Sequence, residues 1–417
     1  MPKTTPSTTD ASDGERRRAH GRRGDDARSV WRSPGMPALL ATTALGFAGY
    51  AVLLPVAPLW AVEGGVDAAG AGLVTGIFMF CTVLGQLFVP AALHRFGWGA
   101  VLVVGLTLLG APSLLHLVSA ELLPVLAIAA VRGAGFAVLT VAGSSAVAEL
   151  VEPARRGRAI GAFGLAIAGP QLVLLPMAPL VAEIVGYWAV FLAGALPLIA
   201  IIPAVRLARH LHASHHDPGA PEHAAAANRF GALRALAPPV GVLLGVTLAG
   251  GALLTFVPQL VDGAAVMAAL VFVTATAAAA RWLVGGLADR VGTHRLLWPF
   301  VLATVAGLLL VAWSVSPGAP TTPLLLAGAA LVGLSYGALQ NLTLGEAFAV
   351  VPRRDSVFAS TVWNIGFDTG TGIGAVVVGA LAAGLSFQVA FIAAAAIVLV
   401  TVPLALMRRP ARPATPR

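Results

Sequence analysis

Residues 264–292 read AAVMAALVFVTATAAAARWLVGGLADRVG, an apolar run of 24 residues followed by a short polar segment. Arg281 is the only charged residue within residues 264–287. The hydrocarbon core of a bilayer is about 30 Å thick, and a helix needs about 20 apolar residues to cross it. Because backbone polar groups must be satisfied internally there, the run predicts a membrane-spanning helix that ends in a loop at the membrane surface.

Eleven further runs of similar length and composition occur along the chain. They cover residues 36–61, 69–93, 99–118, 122–148, 158–182, 187–207, 235–260, 294–315, 323–349, 356–384 and 387–407. Of the 417 residues, 58% are hydrophobic and only 11% are charged, against about 25% charged residues in an average soluble domain. The composition excludes an ordinary soluble protein and predicts an all-α integral membrane protein with about twelve transmembrane helices.

The Lys and Arg residues indicate how these helices are oriented. Every Lys and Arg outside the runs lies in a connecting segment on the same side of the membrane as the N-terminus. The charged residues of the connecting segments on the opposite side are all acidic: Glu63, Asp67, Glu121, Glu183 and Asp262. Since cytoplasmic flanks carry the positive excess, we expect both termini in the cytoplasm and the protein in the plasma membrane. The formal charge of +8 is then explained by topology and by contact with anionic lipid headgroups, without a nucleic-acid partner.

Two landmarks predict an internal repeat. Arg156, after the fourth run, recurs as Arg354 after the tenth, an offset of 354 − 156 = 198 residues. Arg95, after the second run, recurs as Arg290 after the eighth, an offset of 290 − 95 = 195 residues. Parallel six-helix repeats place a substrate site between them near the middle of the membrane. The predicted units are a disordered tail (1–35), two six-helix bundles (36–207 and 235–407), a cytoplasmic linker (208–234) and a C-terminal tail (408–417).

Four motifs carry a resemblance to a known family. Gly285-Gly286-Leu287-Ala288-Asp289-Arg290-Val291-Gly292 follows the eighth run, and a variant with His94, Arg95 and Gly97 follows the second. The fourth run contains Arg132-Gly133-Ala134-Gly135 and the fifth contains Gly169-Pro170. In these motifs the chain resembles the major facilitator superfamily, in particular its bacterial drug and sugar efflux branch, over nearly all of residues 36–409.

The resemblance implies a fold of two pseudo-symmetric six-helix bundles and transport by alternating access. It assigns conformational roles to Arg95, Asp289 and Arg290 in the loops, and to Gly169 and Pro170, whose Gly-Pro pair is associated with exporters that work by antiport. Glu149 and Glu346 lie at the ends of the fourth and tenth runs, close in sequence to Arg155-Arg156 and Arg353-Arg354. We interpret these glutamates as forming salt bridges with the arginines, which connect the two halves and act as a gate.

Two intramembrane charges are candidates for proton coupling, because ionisable residues inside a membrane are costly and usually functional. Asp368 is the only acid well inside a run. Removal from water favours the neutral form of a carboxyl group, so a site that alternates between two aqueous faces can load and release one proton. Arg132 lies at mid-depth, where it either relays protons or binds an anion, or else braces the first helix through backbone carbonyls. Arg281 is interpreted as structural, snorkelling or pairing with neighbouring acids.

Polar residues in the runs are candidates for the substrate cavity, either as direct contacts or as interhelical hydrogen bonds. They are Tyr50, Gln86, Gln171, Gln340, Asn341 and Asn364. No cofactor or metal site is predicted, since the five His residues of positions 210–223 lie in the linker without a fixed ligand geometry. No phosphate-binding loop is present, so the energy source is expected to be an ion gradient.

The favoured function is a secondary active transporter, a monomer that exchanges protons for a small amphipathic molecule and exports it. The alternative is a proton symporter that imports a sugar or an organic anion, with Arg132 as the substrate ligand. A membrane-embedded enzyme or a non-transporting sensor is disfavoured, because no clustered catalytic constellation and no large extramembrane domain occur in the sequence. The protein is therefore predicted not to be an enzyme.

Overall fold

The computed structural model describes residues 34–151, 156–213, 229–319, 321–352 and 355–407. Most of the predicted tails, residues 1–33 and 408–417, and residues 214–228 of the linker lie outside the described part. The α-helices are α1 (Met36–Glu63), α2 (Ala68–Gly110), α3 (Leu122–Leu150), α4 (Arg156–Ile184), α5 (Tyr187–Gly194), α6 (Leu196–Ile199), α7 (Ile201–Ala213), α8 (Arg229–Leu260), α9 (Ala264–Val291), α10 (Thr293–Ser314), α11 (Thr321–Val350), α12 (Ser356–Gly384), α13 (Phe387–Leu399) and α14 (Val402–Leu406). A 3₁₀ helix, Ala111–Leu117, continues α2.

The prediction of about twelve membrane passes agrees with this architecture. Eleven helical stretches of the described residues are long and apolar enough to cross a membrane, and one of them, α2 with its 3₁₀ extension, contains two predicted runs. Gly97 divides α2, with φ 76° and ψ 166°. Gly292 between α9 and α10 has φ 93°, and the two glycines are 292 − 97 = 195 residues apart. Positive φ values favour glycine, which explains the last glycine of both loop motifs.

The two halves repeat one another in their packing. In the first half α2 packs along α3 and α1 along α4, while in the second half α9 packs along α11 and α8 along α12. A Cβ atom on Gly133 would clash with the carbonyl oxygen of Phe78, and one on Gly333 would clash with the carbonyl oxygen of Val273. Glycine thus allows the same close helix contact in each half.

The predicted linker, residues 208–234, is helical at both of its ends, because α7 continues to Ala213 and α8 begins at Arg229. Ala208 and Leu211 are buried at one end and Leu236 lies buried just beyond the other. These apolar contacts extend the helices past the boundaries that hydropathy indicates.

The halves meet through α2 with α12, α4 with α9, and α1 with α8. We call the α2–α12 contact the seam. We call the side of the bundle at which α1 and α8 begin the tail side, and the opposite side the far side. From the far side inward, the seam joins Ala68 to Gly379 and then Gly72 to Ala375. Thr75 of α2 also shares a hydrogen bond with Thr255 of α8, with 3.1 Å between their hydroxyl oxygens.

Contacts between the halves are concentrated on the far side. Glu183 of α4 and Gly263 before α9 approach each other there, whereas a Cβ atom on Gly161, Gly286 or Gly345, near the tail side, would meet no atom within 4 Å. The contacts between the halves that the structure describes therefore lie on the far side and reach inward as far as Gln86 and Asp368.

Helix α12 packs against α8 along a row of three glycines. Gly366 faces Val240, Gly370 faces Leu244 and Thr247, and Gly374 faces Leu248, all on α8. The spacing of four residues keeps the three glycines on one side of α12, and the other side is free to face α2. The absence of side chains at these positions allows α8 to approach α12 closely.

Candidate functional site

Asp368 lies at the innermost point of the seam. Its side chain is only 4% exposed, and Gln86 Nε2 donates a hydrogen bond to Asp368 Oδ2 at 2.7 Å. Gln86 Nε2 is also 3.3 Å from Thr140 Oγ1 of α3. The carboxylate is thus held by an amide from the opposite half of the protein. The sequence names both residues as candidates, but it does not indicate that they are partners.

Two tyrosines, one from each half, lie near this carboxylate. Tyr50 of α1 and Tyr336 of α11 are both within electrostatic range of Asp368. The Tyr50 ring stacks on Phe136 at 4.3 Å between ring centroids, and Tyr336 packs on Phe367 at 6.0 Å. The centre of the protein therefore combines one acid with phenol groups and aromatic surface, a composition suited to an amphipathic molecule.

Arg132 has backbone partners and is 3% exposed. Its Nε donates to the carbonyl oxygen of Leu109 at 3.1 Å, and its Nη2 donates to the carbonyl oxygen of Gly49 at 3.1 Å. The guanidinium also lies 5.7 Å from the centroid of the Phe78 ring. Of the interpretations left open by the sequence, this geometry favours bracing of α1 and α2 by α3.

We expect Arg132→Met to destabilise the protein strongly. Methionine retains the apolar stem but removes the hydrogen bonds to the carbonyl groups of Gly49 and Leu109, and a hydrogen bond from a charged group contributes about 1.5–3 kcal/mol. Thermal unfolding of the purified variant in detergent should show a clearly lower midpoint than that of the wild type. The control Arg295→Met, at an exposed arginine, should unfold at the same temperature as the wild type. A variant that melts normally but no longer transports would instead assign Arg132 to transport.

His116 is a buried polar residue that the sequence analysis does not single out. It is 1% exposed, its Nδ1 lies 3.2 Å from the carbonyl oxygen of Ser113, and its Nε2 has no partner in the described structure. His116, Arg132, Tyr50 and Thr75 line a cavity of about 20 Å³, which is enough for one water molecule. The only sequence signal is a histidine next to the end of an apolar run.

Arg281 has its hydrogen-bond partners on α11. Its Nη2 donates to Gln340 Oε1, and Asn341 Nδ2 donates to the carbonyl oxygen of Arg281 at 2.7 Å. No acidic side chain of the described residues lies within ion-pair distance, so the alternative of pairing with neighbouring acids has no support there, while a structural role remains a prediction. Helix α11 supplies the partner instead, because Gly337 lets it approach α9 closely at Ala277, one turn away.

The other predicted site residues do not join these clusters through the hydrogen bonds described. Asn364 Nδ2 donates to the carbonyl oxygen of Ser360 and Gln171 Nε2 to that of Ile167, both within their own helices. Gly169 and Pro170 lie in α4, where a Cβ on Gly169 would meet no atom within 4 Å. Cavity roles for Asn364 and Gln171 remain predictions.

The loop and gate residues lie towards the tail side. Arg95 is exposed, with its guanidinium 5.5 Å from the Phe96 ring centroid, and Arg290 is exposed. Glu149 is exposed and Glu346 half-buried. The side chain of Asp289 and the predicted partners Arg155, Arg353 and Arg354, together with the side chain of Arg156, lie outside the described residues. The gate salt bridges therefore remain a prediction.

Metal ligation has no candidate in the part of the chain that the structure describes. No group of three or more His, Cys, Asp or Glu side chains is placed there so that it could hold an ion. The polar groups at the centre are the carboxyl group of Asp368, amides, phenols and the guanidinium of Arg132.

Comparison with solved structures gives the same fold. A bacterial homologue of the human lysosomal transporter Spinster, in its inward-facing and occupied conformation, matches with a TM-score of 0.69 and 15% identity, covering 90% of this chain and 96% of that chain. Its inward-facing, unoccupied conformation matches with a TM-score of 0.67 and 16% identity over the same shares. The nucleoside transporter NupG matches with a TM-score of 0.62 and 14% identity, covering 89% and 98%.

The family is given by the sequence itself. No curated protein matches significantly, but the profile of the Major Facilitator Superfamily matches residues 39–344 and 261–417. These matches extend over both six-helix halves and include every motif quoted above. The chain therefore belongs to the Major Facilitator Superfamily and is a membrane transporter, not an enzyme.

Proposed function

We propose that the protein is a proton-coupled secondary transporter that exports a small amphipathic molecule in exchange for protons. The observation that carries this proposal is the hydrogen bond between Gln86 and Asp368 across the seam. Among the described residues, Asp368 is the only acidic residue far from a helix end. A group that both binds a proton and joins the two moving halves can couple protonation to conformational change.

The coupling follows from the charge of the carboxyl group. Ionised Asp368 accepts a charge-assisted hydrogen bond from Gln86, and such bonds are about twice as strong as neutral ones. Opening the far side requires α2 and α12 to part, which breaks this bond and leaves a charge without its partner. Protonation removes the charge and lowers the cost of burying the carboxyl group as the seam closes, so a proton taken up from the far side biases the protein towards the tail-side-open state, where it is released.

The direction of transport rests on two further features. The Lys and Arg distribution favours a cytoplasmic tail side, with both termini inside the plasma membrane. The described contacts between the halves lie on the far side, so we expect this state to receive its substrate from the cytoplasm. Gly169-Pro170 in α4 favours exchange over cotransport, and Pro170 bends the helix at the repeat position of Asp368, since 368 − 170 = 198. The protein works as a monomer with protons and lipid as its other partners.

Substrate-driven proton movement in proteoliposomes tests the proposal. We expect addition of a transported compound to move protons in the opposite direction to the compound, and a protonophore to abolish its uphill transport. The panel should contain amphipathic drugs, sugars, organic acids and nucleosides, the last because of the structural similarity to NupG. Movement of both species in the same direction would replace export by symport, and transport indifferent to the proton gradient would reject proton coupling.

A further inference from the structure

The contact between α9 and α11 holds an arginine side chain in a fixed position inside the protein. Arg281 Nη2 donates to Gln340 Oε1, and the Gln340 side chain is only 4% exposed. Tyr336, which precedes Gln340 by one turn of α11, lies within electrostatic range of Arg281. Because Gln340 Oε1 is used by Arg281, its Nε2 atom is turned away from the guanidinium.

Two donors of this cluster have no acceptor in the described structure. Arg281 Nε and Gln340 Nε2 are buried and form no hydrogen bond of normal geometry, although the Tyr336 side chain lies beside Gln340. Leaving a buried donor unsatisfied is costly, and buried polar groups are paired in the great majority of cases. The positive charge of Arg281 also lacks a carboxylate partner among the described residues. The cluster therefore has an excess of donors and of positive charge.

The excess of hydrogen-bond donors and positive charge at Arg281 is not found at the other intramembrane arginine or at the repeat position of Arg281 in the first half. Arg132, which is more deeply buried than Arg281, satisfies two of its nitrogen atoms with backbone carbonyls. The repeat position of Arg281 is Gln86, since 281 − 195 = 86, and Gln86 faces Asp368 across the seam. The repeat position of Asp368 is Pro170, so no acid stands opposite Arg281 at the corresponding α4–α9 contact.

The cluster has room beside it on the tail side. A Cβ atom on Gly285, one helical turn from Arg281, would meet only the Asn341 amide nitrogen, at 4.0 Å. One on Gly345, one turn beyond Asn341, would meet no atom within 4 Å. Aromatic surface lies nearby, since Trp363 and Phe367 pack at 5.7 Å between their ring centroids. An apolar body can be covered by these rings while its charged end reaches the cluster.

We propose that Arg281 and Gln340 form the anion-binding subsite of the transporter and that its substrate is an amphipathic carboxylate. One carboxylate oxygen accepts from Arg281 Nε and the other from Gln340 Nε2, which gives both donors an acceptor and neutralises the charge of Arg281. The inference rests on the proposed function insofar as the protein transports a small amphipathic molecule, but it does not depend on proton coupling.

Equilibrium binding to the purified full-length protein tests this subsite without any gradient. The probes are pairs of equal shape, such as 2-naphthoate with 2-naphthamide and decanoate with decanamide, together with 2-naphthyl phosphate. We expect the wild type to bind at least one carboxylate about tenfold to a hundredfold more tightly than its amide. Arg281→Gln should abolish this preference, Arg281→Lys should reduce it, and Arg295→Gln, which removes an exposed charge, should retain it.

A second variant keeps the test valid if Arg281→Gln does not fold. Gln340→Glu places a carboxylate against Arg281, which should maintain thermal stability and abolish carboxylate binding. Equal binding of acid and amide, absence of binding by every acid, preference for the phosphate, or carboxylate binding that survives in Gln340→Glu would each overturn the proposal. Proton exchange with substrates that bind without regard to charge would reject this subsite and leave the proposed function standing.

Discussion

Asp368→Asn is expected to abolish uphill, proton-driven transport while leaving exchange of substrate between the two sides of the membrane intact. Asparagine has nearly the shape of aspartate and accepts the hydrogen bond from Gln86, but it carries no proton in the cycle. The variant therefore resembles a permanently neutral Asp368. It should move between its two states with bound substrate, but it should not link that movement to proton flow.

Reconstituted proteoliposomes separate these two activities. With a pH gradient, the wild type should accumulate labelled substrate and Asp368→Asn should only equilibrate it. Without a gradient, both proteins should exchange labelled for unlabelled substrate at rates of the same order. Asp262→Asn, at an exposed carboxylate on the far side, should accumulate substrate like the wild type. Normal accumulation by Asp368→Asn would return Asp368 to a structural role.

The fold could be predicted from the sequence because its signals are local. Each membrane-spanning helix requires a run of about 20 apolar residues, and residues 264–292 and the other runs can be recognised without any long-range contact. Gly97 and Gly292 mark equivalent turns for the same reason, since a positive φ at one residue is a local property. The kink of α2 at Gly97 is the one place where two predicted spans are assigned to a single helix.

The partners of the site residues could not be predicted, because they depend on packing between distant segments. Gln86 and Asp368 are 282 residues apart, and nothing in either run indicates the other. Arg132 bonds to backbone carbonyls, which every residue possesses and no sequence pattern marks. For Arg281 the sequence suggests snorkelling or pairing with acids, whereas Gly337 of α11 allows the close approach that brings it to Gln340. The sequence identifies side chains whose burial in the membrane costs free energy, and only the structure shows which hydrogen-bond partners offset that cost.

A reversible lock between the two halves would have an effect as large as that of Asp368→Asn. Thr75 of α2 and Thr255 of α8 are buried on the far side, with their hydroxyl oxygens 3.1 Å apart. Cysteine has nearly the size of threonine, and adjacent side chains of this kind can form a disulfide when their Cβ atoms lie about 3.5–4.5 Å apart. Because the account requires these helices to part in every cycle, the disulfide should stop transport completely.

The decisive measurement is transport by a Thr75→Cys, Thr255→Cys, Cys81→Ser variant before and after reduction, with disulfide formation followed by mass spectrometry. Replacement of Cys81, the single native cysteine, restricts oxidation to the introduced pair, and each single-cysteine variant serves as a control that oxidant should not affect. We predict no transport while the disulfide is intact and recovery after reduction. Transport at the reduced rate through protein with an intact disulfide would contradict alternating access by parting of the two halves on the far side.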